Sequence, residues 1–165
     1  MEVLESENTG QVKYAGFWLR FVAYLIDDII LSAIGFVISL PFIGSIIFSG
    51  IALSDMDNSK EKTFMGIAGI VGIVLLLAIT LTVVSWLYFA LMESSKQQAT
   101  LGKMALSLKV TDMEGNKVTF ARATGRYFGK IISNMIFMIG YILAGLTEKK
   151  QALHDMIAGC LVIRT

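Results

Sequence analysis

Arg20, Asp27 and Asp28 lie inside the first long apolar segment of the chain, FWLRFVAYLIDDIILSAIGFVISL. A charge at the centre of a bilayer costs about 2.5–3.5 kcal/mol on insertion scales, so each of the three requires a partner or a purpose. Arg20 and Asp27 stand seven residues apart, about two helical turns, and so share a helix face, whereas Asp28 points about a quarter-turn away. Two chemistries fit. One is a structural ion pair that neutralises the charges in place. The other is a proton or ion site, in which a carboxylate tuned by burial and by Arg20 takes up and releases a proton.

The elements that must position these residues are membrane helices. Of the 165 residues, 55% are hydrophobic and 16% charged, and the mean hydropathy is +0.70, which is the balance of a membrane protein rather than a soluble domain. Ile29–Ser54 and Thr63–Met92 carry no Asp, Glu, Lys or Arg, and each exceeds the roughly 20 residues needed to cross a bilayer. The pattern predicts an all-α membrane protein: helix 1 over about 17–40, ended or kinked by Pro41, and helix 2 over about 63–92. A polar connector, Asp55–Lys62, joins them. Trp18 and Trp86 then mark the same membrane face of an antiparallel hairpin. Gly66, Gly69 and Gly72 recur every three residues on helix 2, a spacing that lets helix backbones approach closely in lipid. Residues 1–13 are polar and acidic, the opposite of a secretory n-region, and are expected to form a short solvated tail. The single cysteine, Cys160, excludes an intramolecular disulfide.

Residues 100–130 read as a small soluble module. Leu106, Leu108 and Val110 alternate with polar residues, DMEGNK supplies turn chemistry and KVTF returns, which predicts a β-hairpin. Thr119 then caps an amphipathic helix with Arg122, Arg126 and Lys130 on one stripe, placed to contact anionic lipid. A third apolar segment, 131–147, is only just long enough to span. If it spans, Lys and Arg divide 9 inside to 5 outside; if it re-enters or lies flat, the division is 12 to 2. The positive-inside bias favours the second arrangement, and Gly140, Gly145 and Asn134 suit a broken segment covered by protein. With a cytoplasmic tail (148–165), CLVIRT is placed to add a strand to the hairpin.

RFVAYLIDD, ATLGKMALSLKVTDMEGNKVTFARATGR and KKQALHDMIAGCLVIR, in that order, resemble the RDD family of small bacterial integral membrane proteins. The resemblance covers about Tyr14–Ile163 and makes 14–163 one membrane domain. The family takes its name from one arginine and two aspartates. By resemblance Arg20 is the arginine, Asp27 the first aspartate and Asp155 the second, Asp28 having the weaker geometric case. Met104 stands where an arginine is frequent, so a basic contact there is missing. The resemblance implies a multi-pass protein of the bacterial cytoplasmic membrane with its N-terminus inside, and cation/proton antiport has been linked to the family.

Other chemistry finds little support. His154 and Asp155 are adjacent, so on a helix they are not expected to face each other, and His154 and Cys160 alone make a poor metal site. TLGKM lacks the upstream glycine and following hydroxyl of a phosphate-binding loop, which leaves Lys103 as a loop residue touching headgroups or the tail, and HExxH and GxSxG are absent. The expectation is a protein that is not an enzyme and needs no cofactor, metal or nucleic acid. Its partners are the bilayer and either another integral membrane protein or a second copy of itself. Two functions follow: an accessory or regulatory subunit of a larger membrane partner, or a homo-oligomeric exchanger of H+ and monovalent cations built on Arg20 and Asp27.

Overall fold

Apolar residues dominate the first half of the chain so fully that its backbone can satisfy its hydrogen bonds only within helices. The computed structural model describes residues 13–54, 60–135 and 139–165. The polar tail, apart from Lys13, and residues 55–59 of the connector lie outside the described residues. Two long helices result: α1 (Phe17–Ser54) of 38 residues and α2 (Lys60–Glu93) of 34 residues. At 1.5 Å per residue they are about 57 and 51 Å long, well beyond a 30 Å hydrocarbon core. They pack antiparallel. Asp27 meets Tyr88, Gly35 lies under Leu81, and Leu53 covers Gly66 so closely that a Cβ there would come within 2.0 Å of it.

Helix 1 does not end at Pro41, which sits inside α1. A proline removes one backbone hydrogen bond, but in apolar surroundings leaving the helix would expose many more unpaired groups. The Ser45 hydroxyl donates to the Pro41 carbonyl at 2.9 Å within the same turn.

Six short elements gather at the end of the hairpin that carries Phe17 and Glu93: α3 (Leu101–Ala105), β1 (Leu108–Asp112), α4 (Phe120–Met135), α5 (Ile139–Leu146), α6 (Leu153–Ala158) and β2 (Cys160–Arg164). The predicted β-hairpin of residues 106–120 does not form. Lys117 makes a lone bridge to Thr111, because the Thr119 hydroxyl accepts from the Arg122 amide at 3.3 Å and starts α4 at Phe120, leaving the return arm no length. The C-terminal segment takes the edge instead. β1 and β2 pair antiparallel with Val110 opposite Val162, and Lys13–Ala15 adds backbone bonds on the far side of β2. Ala15, Ala23, Leu108, Val110, Val118, Cys160 and Val162 form the core beneath this sheet.

The third apolar segment is divided between two helices, the end of α4 and the eight-residue α5. Gly140 returns against Ser133 and Leu153, with a Cβ there only 2.6 Å from the Ser133 hydroxyl. A straight helix would set residues 133 and 140 about 10 Å apart, so α5 folds back on α4. Asn134 has its side chain outside the described residues.

Candidate functional site

Arg20 does not pair with Asp27. Seven residues of helix separate their Cα atoms by about 10 Å along the axis, beyond ion-pair reach, and each finds its own partners. The Arg20 Nη1 group ion-pairs with Asp155 of α6. Its Nε donates to the Ala15 carbonyl at 2.9 Å and its Nη2 to the Lys150 carbonyl at 2.6 Å. One guanidinium thereby ties the start of α1, the loop before α6 and α6 itself together.

Asp27, 1% exposed, is held by three donors. The Thr100 hydroxyl donates to Oδ2 at 2.5 Å, and the Gly102 amide and Tyr88 hydroxyl donate to Oδ1 at 2.7 and 2.8 Å. The carboxylate thus serves one orphan amide of the α3 N-terminus, that of Gly102, from another helix, the role an N-cap side chain plays locally, while the Leu101 amide donates to the Tyr88 hydroxyl. Gly102 is required for this approach, since a Cβ would sit 2.1 Å from the Ala23 carbonyl oxygen of α1.

Asp155 continues the cluster. It is 0% exposed, takes the Ala152 amide at 3.1 Å, and accepts from Arg126 Nε at 2.6 Å. Arg126 Nη1 lies 2.8 Å from Glu93 Oε2, at ion-pair distance but off the hydrogen-bonding angle. Glu93 Oε1 takes Lys103 Nζ at 2.5 Å. Arg20, Asp155, Arg126, Glu93 and Lys103 therefore form one buried chain of alternating charge that joins α1, α2, α3, α4 and α6.

Burial alone would raise the Asp155 carboxyl, but Arg126 and then Arg20 outweigh it and hold it well below the ordinary carboxylate range. Burial works against the Arg126 guanidinium too, and there Asp155 and Glu93 prevail and raise it. Lys103 goes the other way: burial and the nearby Arg126 bring its ammonium down to about 7 despite Glu93. His154 is pushed down to about 3, chiefly by burial, and is a neutral ring against Tyr141.

Several positions differ from expectation. Arg126, expected on the lipid-facing stripe, is 2% exposed because α4 turns it toward the two acids that neutralise it. Arg122 is on the surface and reaches Asp112 at 3.7 Å. Lys130 is half-buried, its ammonium 4.0 Å above the Phe89 ring. Lys103 is no headgroup contact but a buried partner of Glu93 in the first turn of α3. His154 Nε2 approaches Asp155 Oδ1 at 3.5 Å although the two are adjacent, since α6 is a short helix wedged between α4 and α5. Asp28 is exposed and joins no ion pair among the described residues. Of the three glycines, Gly66 packs within the hairpin, while a Cβ at Gly69 or Gly72 would meet nothing within 4 Å among the described residues. Glu93 was not singled out from the sequence. Its signal was present: it is the first acid after the charge-free run of α2 and lies at the same hairpin end as Arg20.

Beside this cluster is a cavity of about 360 Å³. Arg20, Lys103, Arg126 and Lys130 lie on its wall with Asp27 and Asp28, and Phe21, Tyr24, Leu31 and Ile131 supply apolar surface.

Two long apolar helices whose most hydrophobic stretches are unburied within the chain, closed at one end by a charge-clasped module, define a small integral membrane protein. The profile of the RDD family matches residues 14–159, and the chain belongs to that family. It is similar to the uncharacterised protein YxaI of Bacillus subtilis (strain 168), 38% identical over 92% of this chain and 97% of that one. It is also similar to the uncharacterised membrane protein YteJ of the same organism, 31% identical over 91% of this chain and 80% of that one. The uncharacterised protein RP437 of Rickettsia prowazekii (strain Madrid E) matches over 40% of this chain at 40% identity. No solved structure matches it.

Proposed function

We propose that this chain is a non-enzymatic accessory or regulatory subunit of a larger membrane protein. On this reading it is anchored in the bacterial cytoplasmic membrane by α1 and α2, with the N-terminus, α4–α5 and the sheet on the cytoplasmic side and the 131–147 segment folded back rather than spanning. The observation that carries the reading is the saturation of the buried carboxylates. Asp27 has three hydrogen-bond donors, Asp155 lies between two arginines, and Glu93 between Arg126 and Lys103. Carboxylates with partners on every side hold elements in register, and Asp155, kept well below the ordinary carboxylate range by its two arginines, is a poor carrier of protons. The charge-free part of α1, Ile29–Ser54, is long enough alone to cross a bilayer, which leaves the cluster near the membrane surface.

A two-helix hairpin leaves most of its apolar surface uncovered, and Gly69 and Gly72 of α2 are exposed, with room for an added Cβ among the described residues. That is a surface on which a partner's helix backbone can approach closely. The test is purification of a tagged chain from native membranes in mild detergent, beside Gly69→Leu/Gly72→Leu. A stoichiometric membrane protein captured by the wild type and lost by the variant supports the reading. A wild type that elutes as a homo-oligomer without a second protein overturns it.

The second reading, exchange of H+ against monovalent cations by a homo-oligomer, is favoured by Asp28 and Lys103. The first is exposed on α1; the second titrates near neutral pH and lies on the same cavity. In that reading Lys103 carries the proton and Asp28, rather than Asp27, offers its exposed carboxylate to the cation.

A further inference from the structure

Lys130 differs from every other cation in the buried cluster. Arg20, Arg126 and Lys103 each have a carboxylate partner, whereas Lys130 has no carboxylate oxygen within 4.0 Å among the described residues. Its ammonium rests on the face of Phe89 instead, and it lies on the cavity wall. Glu93, Asp155 and Asp27 act on this half-buried ammonium only from beyond ion-pair contact, so its donors stay open toward the cavity and an anion placed before it would be attracted.

The cavity's other walls say what kind of anion can arrive. Its α1 side runs from Phe17 to Leu31, about 21 Å along the helix. Phe21 and Tyr24 of that stretch are also exposed to the outside, so the cavity opens along the apolar flank of the hairpin. Leu31 and Ile131 extend this surface past the charged end. Of the four cations on the wall, Arg20, Arg126 and Lys103 are already paired with Asp155 and Glu93 behind it. Of the two carboxylates, Asp27 is taken by its three donors. Lys130 and the exposed Asp28 are therefore the charges left open to the cavity. A recess with one open ammonium, Lys130, and an apolar flank at one end of a membrane hairpin suits a molecule with an anionic head and hydrocarbon chains.

We propose that this cavity binds one membrane phospholipid, its phosphate against Lys130 and its acyl chains along Phe21, Tyr24 and Leu31. The site depends on the chain's place in a membrane but not on a protein partner, so it and the accessory role can fail separately.

The test is native mass spectrometry of the delipidated full chain in mild detergent, titrated with dioctanoyl phosphatidylglycerol, with dioctanoylglycerol, which has the same chains and no phosphate, and with inorganic phosphate. The expected result is a single phospholipid adduct, at least tenfold stronger than that of dioctanoylglycerol and not displaced by millimolar phosphate. Lys130→Gln should erase the tenfold preference. It removes no ion pair but does remove the contact with the Phe89 ring, so the check that it folds is a single cooperative melt lowered by a few degrees at most. Arg122→Gln, on the surface, should leave the preference intact. Equal binding of the two lipids, an undiminished preference in Lys130→Gln, or an equal loss in Arg122→Gln would overturn the site. Displacement by inorganic phosphate would overturn the lipid and leave a soluble anion in its place.

Discussion

Asp155→Asn is the sharpest perturbation of this fold, because it removes charge without removing volume. Asp155 is fully buried and lies between Arg20 and Arg126. An asparagine still offers one carbonyl oxygen, but one arginine would then face an amide nitrogen. Removing one partner of a buried ion pair costs about 3–5 kcal/mol. The loss falls toward the lower half of that range here, because Arg126 keeps Glu93 and Arg20 keeps two backbone carbonyls. At 1.36 kcal/mol per factor of ten, about 3–4 kcal/mol raises the population of the opened module roughly 10²–10³-fold. Cys160 reports that opening directly. It is the only cysteine, is 0% exposed and lies in β2, next to α6. Its labelling rate by a maleimide under native conditions therefore follows detachment of α6 and β2. The same burial makes native Cys160 unsuitable for asking which side of the membrane the tail occupies; a cysteine at the exposed Thr165 serves that purpose. Cys160 labelling in Asp155→Asn should be faster by two to three orders of magnitude, with a similar but smaller rise in Arg20→Gln. In the double variant the effects should fall short of additivity by at least about 1 kcal/mol. An Asp155→Asn protein whose Cys160 stays as protected as in the wild type would refute the ion-pair role of Asp155.

Three further outcomes follow. Asp27→Asn should cost about 1–3 kcal/mol through its lost acceptor sites, and combined with Arg20→Gln the two penalties should add within about 0.5 kcal/mol, since their partners are separate; denaturant melts of the four proteins in detergent check this. Gly102→Ala should destabilise by about 1–3 kcal/mol or more, because the added methyl meets the Ala23 carbonyl rather than a movable side chain, and Tyr88 fluorescence with Cys160 labelling would show α3 leaving α1. Lys103 sets a pH dependence. Its folded value near 7 lies below the ordinary 10.5, so between those values the unfolded chain binds more protons and stability rises with pH. The melting temperature should therefore climb from pH 6 to 9 in the wild type, and Lys103→Gln should flatten that slope.

Hydropathy made the two long helices legible, because twenty or more apolar residues without charge leave few alternatives. It overstated Pro41, whose local preference yields to the larger need to keep backbone bonds inside a helix. The C-terminal strand was visible in the alternation of CLVIRT, yet its pairing with β1 in place of a hairpin depended on where Thr119 starts α4. Spacing on α1 put Arg20 and Asp27 on one face and suggested a pair. Only resemblance, not spacing, pointed to Asp155, because its 135-residue separation from Arg20 is closed by tertiary structure alone. Glu93 and Lys103 were hidden for the same reason. Arg126 was misplaced because an amphipathic helix with three basic residues does not reveal from sequence which of them meets acids on neighbouring helices and which meets lipid.

The role proposed for the buried charges is a clasp and not a proton path. The most direct test is the purified protein in proteoliposomes carrying a pH-sensitive dye, with Na+ or K+ added outside. A clasp gives proton movement no greater than in empty vesicles, for the wild type and for Asp28→Asn alike. Cation-dependent proton flux in the wild type that Asp28→Asn or Lys103→Gln abolishes, with the fold intact, would contradict it.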